Sequence, residues 1–101
     1  MTELLTGDRY TYNAENVSRS PDSHGVYELY YVDEVVYIGR ASGIGVTIRS
    51  RLRDHLGEPG LKDATSYRRE VTESAITREQ ELLAAFRRHF GRLPRHNKLM
   101  P

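Results

Sequence analysis

The stretch GVYELYYVDEVVYIGRA, residues 25 to 41, constrains this chain more than any other. Val and Tyr dominate it, and Asp33-Glu34 interrupts it with two acids, so it reads as two antiparallel strands joined by a polar turn. Alternation puts Tyr27, Leu29 and Tyr31 on one face of the first strand and Val26, Glu28 and Tyr30 on the other. Near the open end of the hairpin, Gly25-Val26-Tyr27 falls roughly opposite Tyr37-Ile38-Gly39. Two glycines and two tyrosines are thereby expected side by side.

The segments around the hairpin read as its cover. Residues 1–24 form an arm in which Asn13 caps a short helix through NAENV, before SRSPDSHG breaks regular structure. Beyond the glycine-bearing loop RASGIG, Ile44, Ile48, Leu52 and Leu56 recur every four residues and mark a helical face that ends before Gly57. Arg51 and His55 share an adjacent face of that helix. GEPGLKDA is a loop, and TSYRREVT has the composition of a third strand. In ITREQELLAAFRRHFG, Thr77 and Gln80 form a capping-box pair, Leu82, Leu83, Phe86 and Phe90 the apolar face, and Gly91 the stop, with Pro94 beyond it. Glu81 stands at the edge of that apolar face, where a carboxylate is costly without a partner. The expected fold is α+β (mixed α/β): a small three-stranded, mainly antiparallel sheet flanked by helices. The arm, residues 1–24, packs on a domain of residues 25–101, and the whole is one compact unit.

Composition narrows the classes. At 101 residues, with 38% hydrophobic and 29% charged side chains, the chain has room for one modest core. It contains no cysteine, which removes disulfides and thiolate metal sites. The start MTELLTGDRY has neither a basic nor an apolar leader region, and no apolar run reaches the roughly twenty residues that span a bilayer, so a cytoplasmic location is expected. Asn16-Val17-Ser18 matches a glycosylation acceptor, a chance match in such a chain. The net charge of +1 conceals an asymmetry: residues 1–34 hold two basic and seven acidic side chains, and residues 35–101 hold thirteen and seven. Arg40, Arg49, Arg51 and Arg53 fall within fourteen residues, and Arg87, Arg88, Arg92, Arg95 and Lys98 close the chain. Eleven of those thirteen cations are arginine, whose planar fork grips phosphate oxygens. His24, His89 and His96 show no metal-ligand spacing.

Together these residues resemble the GIY-YIG endonuclease domain. The triplets are Gly25-Val26-Tyr27 and Tyr37-Ile38-Gly39, with nine residues between the two tyrosines. IRSRLRDHL resembles the stretch bearing the family's catalytic arginine, which falls on Arg51 with His55 one turn later, and PRHN resembles the closing element, which puts Asn97 in the place of a buttressing asparagine. The likeness covers about residues 25–97. The loop ASGIGVTI is a few residues longer than in many relatives, so the choice of Arg51 over Arg49 or Arg53 rests on the match at Leu52 and His55. The glutamate has two registers. That of excision-repair incision proteins falls on Ala85; that of phage homing endonucleases falls on Glu81, with Glu79 echoing an upstream acidic neighbour. Glu81 is taken here. With Ala85 in its place the domain would be catalytically dead.

What the resemblance implies is a divalent-metal-dependent endonuclease that hydrolyses DNA phosphodiester bonds to 5′-phosphate and 3′-hydroxyl ends. Glu81 would anchor Mg²⁺ or Mn²⁺, an ion that takes one or two carboxylates and keeps most of its waters. Arg51 would contact the scissile phosphate, with Arg40, Arg49 and Arg53 as further phosphate contacts. Tyr27 and Tyr37 would line the cleft, either of them orienting or activating water, and His55 would relay a proton or hydrogen-bond a tyrosine. Gly25, Gly39 and Asn97 would support the site. A phenol with a pKa near 10 is a poor base at neutral pH unless cations lower it. Taken singly, strand tyrosines usually pack, and helix arginines and glutamates are usually solvated; the ordered set carries the reading. The alternative is an inactive module of the same fold that binds nucleic acid or protein and assists a DNA repair or restriction partner. Target choice would rest on low sequence preference, on DNA structure or on a separate DNA-targeting protein, and a homodimer or two successive encounters would supply both cuts of a duplex. An acidic group of the last helix turned away from the rings would leave hydrolysis without its anchor.

Overall fold

A computed structural model describes residues 4–97; Lys98, counted above with the basic close of the chain, lies outside them. In chain order the elements are β1 (Tyr10–Thr11), α1 (Ala14–Ser18), β2 (Gly25–Tyr31), β3 (Glu34–Ala41), α2 (Ile48–Leu56), a 3₁₀ turn (Pro59–Leu61), β4 (Ser66–Val71) and α3 (Ala75–Phe90). The domain is a small mixed α and β unit. Its sheet has four antiparallel strands in the order β1-β4-β2-β3 rather than the three expected, because the arm contributes a strand of its own. Tyr10 pairs with Tyr67 and Thr11 with Ser66. A two-residue strand leaves no alternation to read in a sequence. Asn13 caps α1 by accepting a hydrogen bond from the Asn16 N–H, as the sequence suggests.

As the central strand, β2 is buried on both faces. Tyr27 and Leu29 join Ile48, Leu52 and Tyr67 in a core under α2. Val26 and Tyr30 join Ile38, Leu82 and Phe86 in a second core under α3. Glu28 points into this second layer. Its carboxylate accepts from Tyr30 Oη at 2.7 Å and from the Leu5 N–H at 3.1 Å, which ties the arm to the sheet. Burial pushes the Glu28 carboxyl above the usual range, and those two hydrogen bonds pull it back.

The hairpin differs from expectation in two ways. Its turn is Val32-Asp33, one residue earlier than Asp33-Glu34, and Val32 sits at φ 54. Left-handed backbone is strained for a β-branched residue. Val32 is 58% exposed, so its side chain gains little in return. Val32→Asn is expected to stabilise the fold by about 1 kcal/mol, since Asn favours such turns, and thermal unfolding should show a midpoint raised by roughly 5 °C.

The register also differs. Tyr27 faces Gly39 and Leu29 faces Tyr37, so the two triplets overlap at one pair instead of lying opposite each other. A bulge separates Leu29 from Tyr30: Tyr30 pairs with Val35, and Val36 is the extra residue. Val35 therefore packs in the α3 core, whereas Val36 and Tyr37 both pack in the α2 core. Such an insertion reverses the face parity of everything after it. Tyr37 owes its orientation toward α2 to that reversal, and Arg40, three residues on, is turned toward α3.

The helices also correct the sequence reading at their starts. α2 begins at Ile48 behind a capping box of Thr47 and Ser50. Ile44, counted above in the helical face, lies outside the helix and is fully exposed. α3 begins at Ala75 behind Ser74, so Thr77 and Gln80 lie inside the helix and form no capping box. Gly91 ends α3 at φ 75, as expected of a C-terminal cap.

Candidate active site

β3 is the edge strand of the sheet, and only at such a margin do side chains from both faces meet. A cleft of about 540 Å³ opens there. Tyr37 and Arg51 reach it from the α2 side; Arg40 and Glu79 reach it from the α3 side. Ser42 and Ser50 add hydroxyls. Arg40 Nη1 donates to Glu79 Oε1 at 2.6 Å. Arg51 Nη1 lies 3.8 Å from Asp54 Oδ2, one turn on along α2. Both guanidinium groups thus stand against a carboxylate.

The structure does not bring Glu81 to the cleft with the other groups expected there. Glu81 lines no part of the cleft: it is 53% exposed and pairs with Arg78, which also holds Glu70. Glu79 is the acid that α3 turns into the cleft, with its side chain 15% exposed. Helical geometry explains the difference. Residues 75, 79, 82 and 86 repeat at i, i+4, i+7 and i+11, so Glu79 shares the stripe of Ala75, Leu82 and Phe86, all three buried. Glu81 is two residues away and points to the other side. Extending the apolar stripe backward from Leu82 was the signal that identifies Glu79.

The tyrosines divide. Tyr37 lines the cleft, but Tyr27 is 0% exposed and lies beneath Gly39, contrary to the expectation that both line it. A Cβ on Gly39 would stand 2.5 Å from Tyr27 Oη and 2.8 Å from Tyr37 Cε2, so glycine is what lets the two rings approach across the pair. Their centroids are 6.2 Å apart. Burial pushes both phenols up. Arg51 pulls both back, less strongly, and each remains a neutral phenol at pH 7.

His55 is buried between the rings. Its Nε2 lies 2.7 Å from Tyr27 Oη and its Nδ1 3.1 Å from Glu58 Oε1. His55 and Glu58 line a second recess of about 340 Å³, which shares Tyr37 and Arg51 with the first. Burial lowers the His55 pKa, and Glu58 opposes it. Sequence reasoning assigned nothing to Glu58.

Two of the four arginines assigned to phosphate are not brought to the cleft. Arg49 Nε donates to the Ser20 carbonyl at 2.9 Å and fastens the arm, while Arg53 is exposed and lines neither recess. They stand two residues either side of Arg51, which on a helix turns them away from it. Asn97 is buried against the edge strand: its Oδ1 accepts from the Ile38 N–H at 2.8 Å, and its Nδ2 donates to the Ile38 carbonyl at 2.9 Å. The middle residue of the second triplet is thereby held by both backbone groups. Gly25 lies where β2 passes β4 and α2; a Cβ there would collide with the Glu70 carbonyl oxygen and come within 2.6 Å of Ile48 Cδ1.

Glu79 fits a hard cation held by one carboxylate, with water and phosphate completing its shell, the habit of magnesium. Among the described residues no group of three or more His, Asp or Glu is placed to hold a metal ion. The donor set therefore suits a loosely held ion and not one caged by protein ligands.

Among the described residues no helix is long and apolar enough to cross a membrane. Residues 9–89 match the family described as Domain of unknown function (DUF7508). No curated protein and no solved structure matches the chain.

Proposed function

Because the chain belongs to the Domain of unknown function (DUF7508) family, whose description assigns no activity, we propose from the cleft itself that this protein is a metal-dependent DNA phosphodiesterase of the GIY-YIG kind. One observation carries the reading: a phenol, two guanidinium groups and two carboxylates, Glu79 and Asp54, from three separate elements meet in one open cleft at the sheet's edge. These are the groups that phosphodiester hydrolysis needs. Arg51 neutralises charge that accumulates on the phosphoryl oxygens, and its permanent protonation makes it insensitive to pH near neutrality. Arg40, released from Glu79, takes a second phosphate oxygen. Tyr37, as a neutral phenol, holds the attacking water by hydrogen bonding rather than deprotonating it. Glu79, in place of Glu81, would hold a magnesium or manganese ion, which when bound would supply a water of lowered pKa and positive charge near the departing 3′ oxygen. Tyr27 reaches no substrate; it supports His55 from below. Location in the cytoplasm, a separate targeting protein and a homodimer that cuts both strands remain part of the same proposal.

Incubating the protein with supercoiled plasmid and branched oligonucleotides is the test. Nicking with Mg²⁺ or Mn²⁺ and none with EDTA is expected, and Arg51→Ala should slow it by roughly 100- to 1,000-fold with the far-UV spectrum unchanged. Nicking that survives EDTA, or that Arg51→Ala leaves undiminished, would reject the reading. A second reading, an inactive binding module, is favoured by the pairing of both cleft arginines with carboxylates. It predicts a mobility shift of the oligonucleotides with no cleavage under any metal.

A further inference from the structure

Glu58 lies two residues past the end of α2, and its N–H donates to the His55 carbonyl at 3.1 Å, which folds its side chain back over the imidazole. The contact between His55 Nδ1 and Glu58 Oε1 fixes more than a position. An ionised carboxylate can only accept, so Nδ1 carries the hydrogen, Nε2 presents its lone pair, and Tyr27 Oη becomes the donor to it. The imidazole in turn meets the Tyr37 ring edge-on, with centroids 5.1 Å apart. A chain of contacts thus runs from Glu58, half-exposed in the second recess, through His55 to the cleft phenol.

We infer that Glu58 is a positioning residue for the cleft: it selects the Nδ1–H form of His55 and so sets the seat of Tyr37. The inference rests on the hydrolytic reading of the cleft and adds a residue to it. The groups that face His55 are Tyr27 from β2, Tyr37 from β3, Arg51 and Asp54 from α2, and Glu58; His96 lines the same recess. Burial holds the imidazole below its ordinary pKa, Glu58 and Asp54 raise it, and Arg51 adds to the lowering. A neutral ring at pH 7 is what the tautomer selection requires. Protonating it puts a hydrogen on Nε2 and turns the Tyr27 hydroxyl from donor to acceptor, so activity should fall on the acid side as His55 charges.

The test is histidine-selective ¹⁵N NMR on the full chain, titrated from pH 5 to 8, for the unaltered protein, Glu58→Gln and Glu58→Ala. The unaltered protein should show His55 in the Nδ1–H form. Glu58→Gln should keep that form with a lower titration midpoint, because the carbonyl still accepts but the charge is gone. Glu58→Ala should lose the tautomer preference as well. In plasmid nicking, Glu58→Ala should lower kcat about tenfold with KM unchanged and move the acid limb to lower pH, and Glu58→Gln should recover most of the rate. A predominant Nε2–H form in the unaltered protein, or a tautomer and midpoint that Glu58→Ala leaves unmoved, would overturn the inference. The expected NMR result with no nicking by any of the three proteins would reject the hydrolytic reading, and with it the catalytic purpose of the contact, while the tautomer assignment stood.

Discussion

Glu79→Gln is expected to reduce metal-dependent nicking by at least roughly 100-fold, whereas Glu81→Gln should leave it within about twofold. The two acids lie two residues apart on one helix, so propensity and net charge change alike in the two variants. They differ in direction alone. Glu79 lies on the stripe that faces the sheet and meets Arg40 across the cleft; Glu81 meets Arg78 on the outer side. Gln in place of Glu79 keeps the volume and one oxygen but removes the charge that would hold a cation. It also leaves Arg40 without its anionic partner, so DNA should bind in EDTA at least as tightly as before. Gel-shift and plasmid assays on the same preparations check both halves. Equal loss of nicking in the two variants would show that the acid's place in the cleft is not what matters.

Gly25→Ala is expected to cost about 3 kcal/mol, and to lower the midpoint of thermal unfolding by roughly 15 °C. A methyl group there collides with the Glu70 carbonyl oxygen, part of the β4 backbone, and with the Ile48 side chain. The side chain can rotate, but the carbonyl belongs to a strand hydrogen-bonded to β2 along Gly25–Tyr30 and cannot retreat alone. β2 is buried on both faces, so the displacement is transmitted to both cores. Gly39→Ala is a gentler case on the same sheet, because the groups it meets are ring atoms of Tyr27 and Tyr37. Calorimetry that finds Gly25→Ala within 1 kcal/mol of the parent would contradict this account of the glycine.

Much of this architecture is legible in the sequence because local chemistry specifies it. The hairpin follows from Val and Tyr alternation, the end of α3 from Gly91, and the cap of α1 from Asn13. What is not legible depends on partners distant in sequence or on insertions without a signature. Val35 and Val36 look alike, so nothing marks Val36 as the residue that reverses the strand's parity and turns Tyr37 toward α2. β1 is too short for periodicity and exists because β4 offers it an edge. Of the four arginines expected at phosphate, the structure brings Arg40 and Arg51 to the cleft, while Arg49 and Arg53, two residues either side of Arg51, are turned away from it by helical geometry. The exchange of Glu81 for Glu79 has the same root: a face is set by the angle around the axis, and two residues' displacement reverses it.

The Asn97 amide has a consequence beyond the cleft. β3 ends the sheet, and an outermost strand with open peptide groups invites another chain to add itself on. By taking both the N–H and the C=O of Ile38, the side chain imitates one peptide unit of such an added strand, and the neighbouring His96 N–H takes the Val36 carbonyl. The margin of the sheet that bears the cleft is thereby closed, at its middle, to recruitment by β-strand addition.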